Sequence, residues 1–341
     1  MNADEIRGLI GNLSPKHTLK RSSARYVEGF IQALLNVYPP NKIASTLQDK
    51  FHVPNEGKYS DDAYCRLACE LTVAHHIKLT KSSNFQAEKK IRLDAKKDVD
   101  AYCEVDGFKV ATEVKTPELI FQTYDRQSPV FEFAYAGRNP NYEEEFAKMK
   151  ETVGEKMPLE MAKRRDLKLS NFLTETQNKL PRPSVADQCN ILFVALDDVH
   201  TMTEWDGYLY STGGLFTGQS FHPIESFDQV DLVILSNLQS FHSIATNHHD
   251  WTLKDVYMIP RVNRNARANL SDIALGKALG LFPHQLKAFH EFTGSAQGDA
   301  TERRIRSFFK IRNFAIEGLS AEDYRRYFPV KTARMSNLPD R

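Results

Sequence analysis

The sequence predicts a mixed α/β fold in which a mixed β-sheet is flanked by helices, with further helices added at both ends of the chain. Apolar residues recur at helical spacing near the start of the chain and again beyond about residue 265. Between these regions, residues 99–115 alternate with the period of a strand, and two short runs are continuously apolar and rich in branched residues. This arrangement favours a sheet covered by helices.

Length and composition are those of a globular protein with a substantial core. The chain has 341 residues, of which 41% are hydrophobic and 26% are charged. We expect a helical N-terminal extension over residues 1–58, a core over 59–260 with a helical insertion at about 141–180, and a helical basic region over 261–341. The net charge of +1 neither requires nor excludes nucleic acid as a partner.

The sequence favours a cytoplasmic protein without a membrane partner. No apolar run approaches the length of a membrane span, and the first residues lack the layout of a signal peptide. The four cysteines form no CxxC pair, so buried free thiols are expected in place of a disulfide framework or a zinc ribbon. The histidine pairs at 75–76 and 248–249 lack the further ligands that zinc requires.

The first helices are predicted over residues 1–50 and from Ser60 onward. Ser60-Asp61-Asp62 is a good helix start, because hydroxyl and acidic groups suit the unpaired amides of a first turn. The apolar positions at helical spacing are Tyr26, Phe30, Ile31, Leu34 and Leu35 in the first region, and Tyr64, Leu67, Ala68, Leu71 and Ala74 in the second.

The strands are predicted in the middle of the chain. Residues 99–115 alternate around Asp106-Gly107, which is a strong signal for a two-residue hairpin turn. Asn190–Leu196 and Val230–Leu235 are predicted as buried strands, since both are short, apolar and branched.

The hairpin has a predicted register that places charged residues side by side. If the turn contains two residues, Val105 pairs with Phe108, Asp100 faces Glu113, and Asp98 faces Lys115. The opposite face is apolar apart from one threonine and can pack on a core. Its residues are Val99, Ala101, Cys103, Val105, Phe108, Val110, Thr112 and Val114.

This pattern can support phosphodiester hydrolysis. Two carboxylates that face each other across strands stand about 4.5–5.5 Å apart at Cβ, where like charges are destabilising unless a cation lies between them. Mg²⁺ is commonly held by one or two carboxylates together with phosphate oxygens. Lys115 could orient or deprotonate an attacking water, or stabilise charge on phosphorus. Alternatively, the face is simply solvated and Asp98 neutralises Lys115.

Asp100, twelve intervening residues and then Glu113-Val114-Lys115 resemble the signature of the PD-(D/E)XK, or restriction-endonuclease-like, nuclease superfamily over about residues 60–125. The resemblance implies a core ordered as helix, three-strand meander, helix and strand. It implies that Asp100, Glu113 and the Val114 carbonyl bind Mg²⁺ or Mn²⁺, and that Lys115 assists the nucleophilic water. Glu70, on the preceding helix, would be a further metal ligand or else an ordinary solvent-facing glutamate.

The implied function is that of a metal-dependent endonuclease acting on DNA, with RNA as the alternative substrate. Cleavage of both strands of a duplex would favour a homodimer. Val99 stands where the family name has proline, which leaves Asp98 as a rival metal ligand. Two other functions stay open: a non-catalytic nucleic-acid-binding or assembly protein that retains the fold, and an enzyme that uses the carboxylates as acid and base on sugars.

Basic residues near the C-terminus are candidates for contacts with nucleic acid. Residues 302–334 hold nine lysines and arginines interleaved with aromatic residues, a mixture that can bind phosphates and stack bases. A solvated face of an amphipathic helix pair would explain the same pattern. The candidates include Arg303, Arg304, Lys310, Arg325 and Arg326, with Arg261, Arg264 and Arg267 as weaker ones.

Overall fold

The fold is taken from a computed structural model. It describes residues 1–118 apart from 81 and 92–97, a few residues between 144 and 151, residues 165–180, and residues 187–282 apart from short gaps, of which the longest is 244–250. The predicted contacts at Arg303, Arg304, Lys310, Arg325 and Arg326 lie outside the described residues, as does most of the basic region 261–341.

Helices and strands follow one another in the mixed order that the sequence predicts. The helices are α1 (Ala3–Gly11), α2 (Thr18–Arg21), α3 (Ala24–Val37), α4 (Pro40–Asp49), α5 (Asp61–Leu79), α6 (Arg165–Lys179), α7 (Val199–Tyr210), α8 (Ser240–Ser243) and α9 (Asp272–Leu279), with 3₁₀ turns at Glu56–Lys58 and Ile224–Phe227. The strands are β1 (Ser83–Lys89), β2 (Val99–Val105), β3 (Phe108–Lys115), β4 (Gln188–Ala195), β5 (Leu232–Ser236) and β6 (Met258–Val262).

The N-terminal helices form where their caps and apolar spacing predict them. The Ser23 side chain accepts a hydrogen bond from the Tyr26 N–H at the start of α3, and the Ser60 side chain accepts one from the Ala63 N–H at the start of α5. Apolar residues of α1–α4 share one hydrophobic cluster with α5 and with one face of the sheet. The segment 1–58 therefore packs directly on the core that follows it.

The six strands form one mixed sheet in the order β1-β2-β3-β4-β5-β6. β1, β2 and β3 are an antiparallel meander. β3, β4 and β5 run parallel to one another, and β6 closes the other edge antiparallel to β5. The parallel pair β3–β4 is joined through the segment that contains α6, so the chain crosses back over one face of the sheet between them.

The predicted hairpin is confirmed. Asp106 and Gly107 both have positive φ, at 49° and 77°, as the tight turns that join twisted strands require. The register runs from Val105–Phe108 to Ala101–Thr112, in agreement with the prediction.

Hydrophobic clusters lie on both faces of the sheet, and alternation along β4 separates them. Ile191 and Phe193 point into the cluster that contains α3 and α5, whereas Leu192 and Val194 point into the cluster that contains α6 and α7. The central strands are thus covered on both sides. The four cysteines are buried free thiols, as predicted.

Two edge strands and one helix escaped the sequence analysis. β1 has the polar sequence SNFQAEK, and none of its residues is fully buried, so it lacks the alternation that predicts a strand. β6 contains Pro260 and Arg261, which argue against a strand except at an edge, where this one lies. α7 contains Gly207 and several aromatic residues, which weaken the helical pattern.

The predicted helix near residue 271 is confirmed as α9, with the Ser271 side chain accepting a hydrogen bond from the Ala274 N–H. Among the residues that the structure describes, none of the helices combines the length and apolar character needed to cross a membrane.

Candidate active site

The predicted catalytic residues lie at one end of the sheet, opposite the hairpin turn. Asp100 is the second residue of β2, and Glu113, Val114 and Lys115 end β3. Glu70 lies midway along α5. The structure thus brings together all of the residues that the sequence predicted to bind metal or to act in catalysis.

Asp100 is held against the backbone of β3. Pairing of the two strands ends at Ala101–Thr112, one residue before Asp100 would face Glu113. At that point the Asp100 carboxylate accepts a hydrogen bond of 2.7 Å from the Val114 N–H. Burial raises the pKa of Asp100, and the negative charges of Glu113 and Glu70 raise it further. The carboxylates of Glu113 and Glu70 are therefore close enough to disfavour ionisation of Asp100.

Glu113 is the most buried acid of the group, with 1% of its surface exposed. Its Oε1 atom forms ion pairs with Lys179 and, at 3.2 Å, with Lys115. Its Oε2 atom is buried and has no hydrogen-bond partner among the described residues. Burial of a carboxylate oxygen without a hydrogen-bond partner costs free energy. This atom is therefore the strongest indication that a ligand binds here.

Lys115 lies beside Glu113 on the same face, as predicted. Its Nζ atom is 2.6 Å from Glu175 Oε2 and 3.2 Å from Glu113 Oε1. Burial lowers the pKa of Lys115, but the attraction of Glu113 and of Glu175 outweighs it, so that the pKa lies above its usual value. The Lys115 side chain is thus a protonated donor at neutral pH in this arrangement.

The predicted pair of Asp98 and Lys115 is wrong. Among the described residues, the ion partners of Lys115 are Glu113 and Glu175. Asp98 precedes β2, and its buried Oδ1 atom has no hydrogen-bond partner in the described part of the chain. The extrapolated register failed because strand pairing stops before it reaches these residues.

Glu70 is half-buried and belongs electrostatically to the site. Burial raises its pKa to about 7, Lys50 opposes that rise, and Glu113 adds to it. Lys50 also forms an ion pair with Glu88 of β1, which in turn accepts a hydrogen bond of 2.9 Å from the Tyr38 hydroxyl. The alternative of a plain solvent-facing glutamate does not fit this environment.

The sequence pattern did not indicate Glu175 and Lys179, two residues of α6 that form ion pairs with the site. They lie more than 55 residues beyond Lys115, within the stretch that was predicted only as a charged helix. Their spacing of four residues places them on one side of the helix, next to the buried Phe172 and Thr176. This adjacency to an apolar stripe was the available signal.

The donor set is compatible with Mg²⁺ or Mn²⁺. Asp100 and Glu113 offer hard carboxylate oxygens, and Glu113 Oε2 is buried and unpartnered. Within the described ranges, no group of three or more His, Cys, Asp or Glu side chains has the arrangement of a metal site. Two carboxylates satisfy Mg²⁺ when phosphate and water complete its shell, so the residues present fit such an ion.

Two other predicted features have structural roles. Arg261, proposed as a weak candidate for contacts with nucleic acid, is 2% exposed and forms a two-point ion pair with Asp206, so that proposal is wrong. His75 and His76 are buried and contact the carbonyl oxygens of Trp251 and Leu281, each at 3.1 Å.

Comparisons with family models, with curated proteins and with solved structures found no match to this chain. The functional argument therefore rests on the residues and their geometry.

Proposed function

We propose that this protein is a metal-dependent nuclease that hydrolyses phosphodiester bonds of DNA at the start of β2 and the end of β3. The observation that carries the proposal is the buried, unpartnered Oε2 atom of Glu113, a residue whose other carboxylate oxygen is 3.2 Å from the Lys115 Nζ atom and whose charge raises the pKa of Asp100. The order α5-β1-β2-β3-α6-β4 is also the order that the resemblance to the PD-(D/E)XK superfamily implies.

Asp100 and Glu113 would hold the metal, with the Val114 carbonyl and Glu70 as further ligands. Each of these residues lies on a regular strand or helix, which gives the ligands fixed positions. The Asp100–Val114 hydrogen bond fixes the orientation of one carboxylate relative to the strand that carries the other. When bound, Mg²⁺ supplies charge that polarises a phosphoryl oxygen and lowers the pKa of a coordinated water.

Lys115 would orient the attacking water and stabilise the negative charge that develops on the phosphoryl oxygens. Its side chain is 16% exposed and its ammonium is held by two carboxylates, so the group is directed toward the site and partly shielded from solvent. Charged donors are strongest in such a partly dry environment. The role of donor suits its raised pKa better than the role of base.

DNA is the substrate that we propose, with RNA as the alternative, because the resemblance favours DNA. One site cuts one strand, so double-strand cleavage would require a homodimer or two binding events.

The test is cleavage of plasmid and single-stranded DNA in Mg²⁺, in Mn²⁺ and in EDTA. Wild type should cleave only with the metal, and Lys115→Ala and Asp100→Ala should not cleave. Lys109→Ala is the matched control, since Lys109 lies on the same strand but is 39% exposed and pairs with Asp187. Activity that survives EDTA, Lys115→Ala or Asp100→Ala would refute the proposal.

A second candidate is a non-catalytic nucleic-acid-binding or assembly protein that retains the fold. The observation in its favour is that Glu113 is already paired with two lysines in the structure. This candidate predicts that Lys115→Ala retains function, and that no divalent cation binds near Asp100.

A further inference from the structure

Helix α6 carries a charge pattern that complements the end of β3. Lys179 forms an ion pair with Glu113, and Glu175 forms one with Lys115 at 2.6 Å. Glu175 and Lys179 are one helical turn apart, whereas Glu113 and Lys115 are two residues apart on one strand face. One helix face therefore neutralises both members of the proposed catalytic pair.

The Lys179 contact differs from an ordinary surface ion pair. The side chain of Lys179 is 12% exposed and that of Glu113 is 2% exposed, so both charges are largely removed from water. Nearby on α6, Thr176 is fully buried and Phe172 is 5% exposed, which fixes this face of the helix against the sheet. The ammonium is thus positioned by tertiary packing and is not a freely moving surface group.

Lys179 and a divalent cation repel each other when both contact the Glu113 carboxylate. Two unit charges at 4 Å interact by about 4 kcal/mol at an effective dielectric constant of 20, and a doubly charged ion roughly doubles that repulsion. Oε1 of Glu113 is occupied by lysine ammonium groups, while Oε2 has no partner in the described residues. The carboxylate is therefore half occupied by cations of the chain itself.

We propose that the Lys179 ammonium acts as a placeholder on Glu113 that competes with a divalent cation for the carboxylate, so that α6 sets the affinity of the site for metal. This inference rests on the proposed function, because it concerns the cation of that same site. Binding of the cation and the contact of Lys179 with Glu113 are linked, and each opposes the other by the same factor. Lys179 is in this sense a positioning residue of the metal site.

The test is titration of the full chain with Mg²⁺ alone, without DNA, followed by calorimetry. Lys179→Met keeps the apolar stem and removes the charge, so it should lower the Kd for Mg²⁺ by about tenfold or more. Lys179→Arg retains the competing charge and should stay within about threefold of wild type. Lys109→Met, which removes an exposed lysine from β3, the strand that carries Glu113, should leave the Kd unchanged.

An unchanged or increased Kd in Lys179→Met would overturn the inference, since it would mean that the ammonium does not compete for the carboxylate or instead holds it in place for the metal. Circular dichroism checks folding, and Lys179→Gln replaces the Met variant if that variant does not fold. Wild-type protein that fails to cleave DNA while the Kd shifts as expected would refute the proposed function alone. Cleavage without the shift would refute only the placeholder.

Discussion

Two of the buried ionic groups in the described part of the chain are built differently. Near the β6 edge, Arg261 and Asp206 form a two-point ion pair in which both side chains are 3% exposed. At the start of β2 and the end of β3, Glu113 shares one oxygen between two lysines and leaves the other without a partner in the described chain. The first group is matched in charge and geometry, and the second is not.

This difference separates a structural ion pair from a candidate site. Burial of charge is costly, and a matched bidentate pair recovers most of that cost within the protein. An unmatched cluster retains part of the free-energy cost of burying charge. The raised pKa values of Asp100 and Glu70 reflect that cost. Clustered acids with shifted pKa values are typical of functional sites, where residues needed for activity are retained although they lower stability.

The largest expected effect is on activity at the unmatched cluster. Asp100→Asn should reduce the cleavage rate by about a thousandfold or more, because a charged metal ligand is lost. The same change should leave stability at pH 8 unchanged or raised, since the raised pKa shows that the charged carboxylate is disfavoured in the folded state.

Single-turnover kinetics and urea denaturation measure the two effects of Asp100→Asn. A variant that lost both activity and several kcal/mol of stability would place Asp100 in the same class as Asp206.

The next effect is on stability at the matched pair. Asp206→Ala should destabilise the fold by about 3–5 kcal/mol, because it leaves the buried Arg261 charge without its partner. Replacement of both residues, as Asp206→Leu with Arg261→Met, should restore much of that loss. Equilibrium urea denaturation gives both values. A loss below about 1 kcal/mol for the single variant would mean that solvent or another group compensates Arg261.

A pH-dependent effect is expected at Asp231, a buried acid that lies just before β5. Burial raises its pKa to about 7 from an ordinary value of 3.8, although the carboxylate accepts a hydrogen bond of 2.8 Å from the Asn190 N–H. The folded state therefore keeps its proton to higher pH than the unfolded state. This contribution to stability is complete below pH 3.8 and is lost as pH rises toward 7, by at most about 1.4 kcal/mol per pH unit.

Asp231→Asn keeps an oxygen that can accept the Asn190 hydrogen bond and removes the titration. The variant should gain stability over wild type as pH rises from 4 to 8, as measured by thermal unfolding across that range. A gain that does not change with pH would show that Asp231 does not titrate in this interval.

The smallest effect is expected where ion pairs are exposed. Lys109 and Asp187 are 39% and 45% exposed, so Lys109→Met should have little effect on stability and leave cleavage unaltered. Denaturation and the plasmid assay test this together. A large loss of stability or of cleavage activity would show that exposure alone does not distinguish a surface ion pair from the buried ionic groups.

The local parts of the fold were predictable from the sequence. The turn at Asp106-Gly107, the register up to Ala101–Thr112 and the caps at Ser60 and Ser271 follow from residues within a few positions of one another. The edge strands were missed because β1 is polar on both faces and β6 contains a proline. Neither has the alternation by which a strand is predicted from sequence.

The sequence by itself determined the hairpin and its charged face, because alternation and turn chemistry act over neighbouring residues. Only the tertiary structure decided what those charges meet: Lys179 and Glu175 against Glu113 and Lys115, and Asp206 against Arg261. These partners are 55 to 66 residues apart in the chain. They meet because apolar faces of α6 and α7 pack on the sheet. Burial of apolar surface drives this packing, and the packing brings the charged residues of the helices next to their partners.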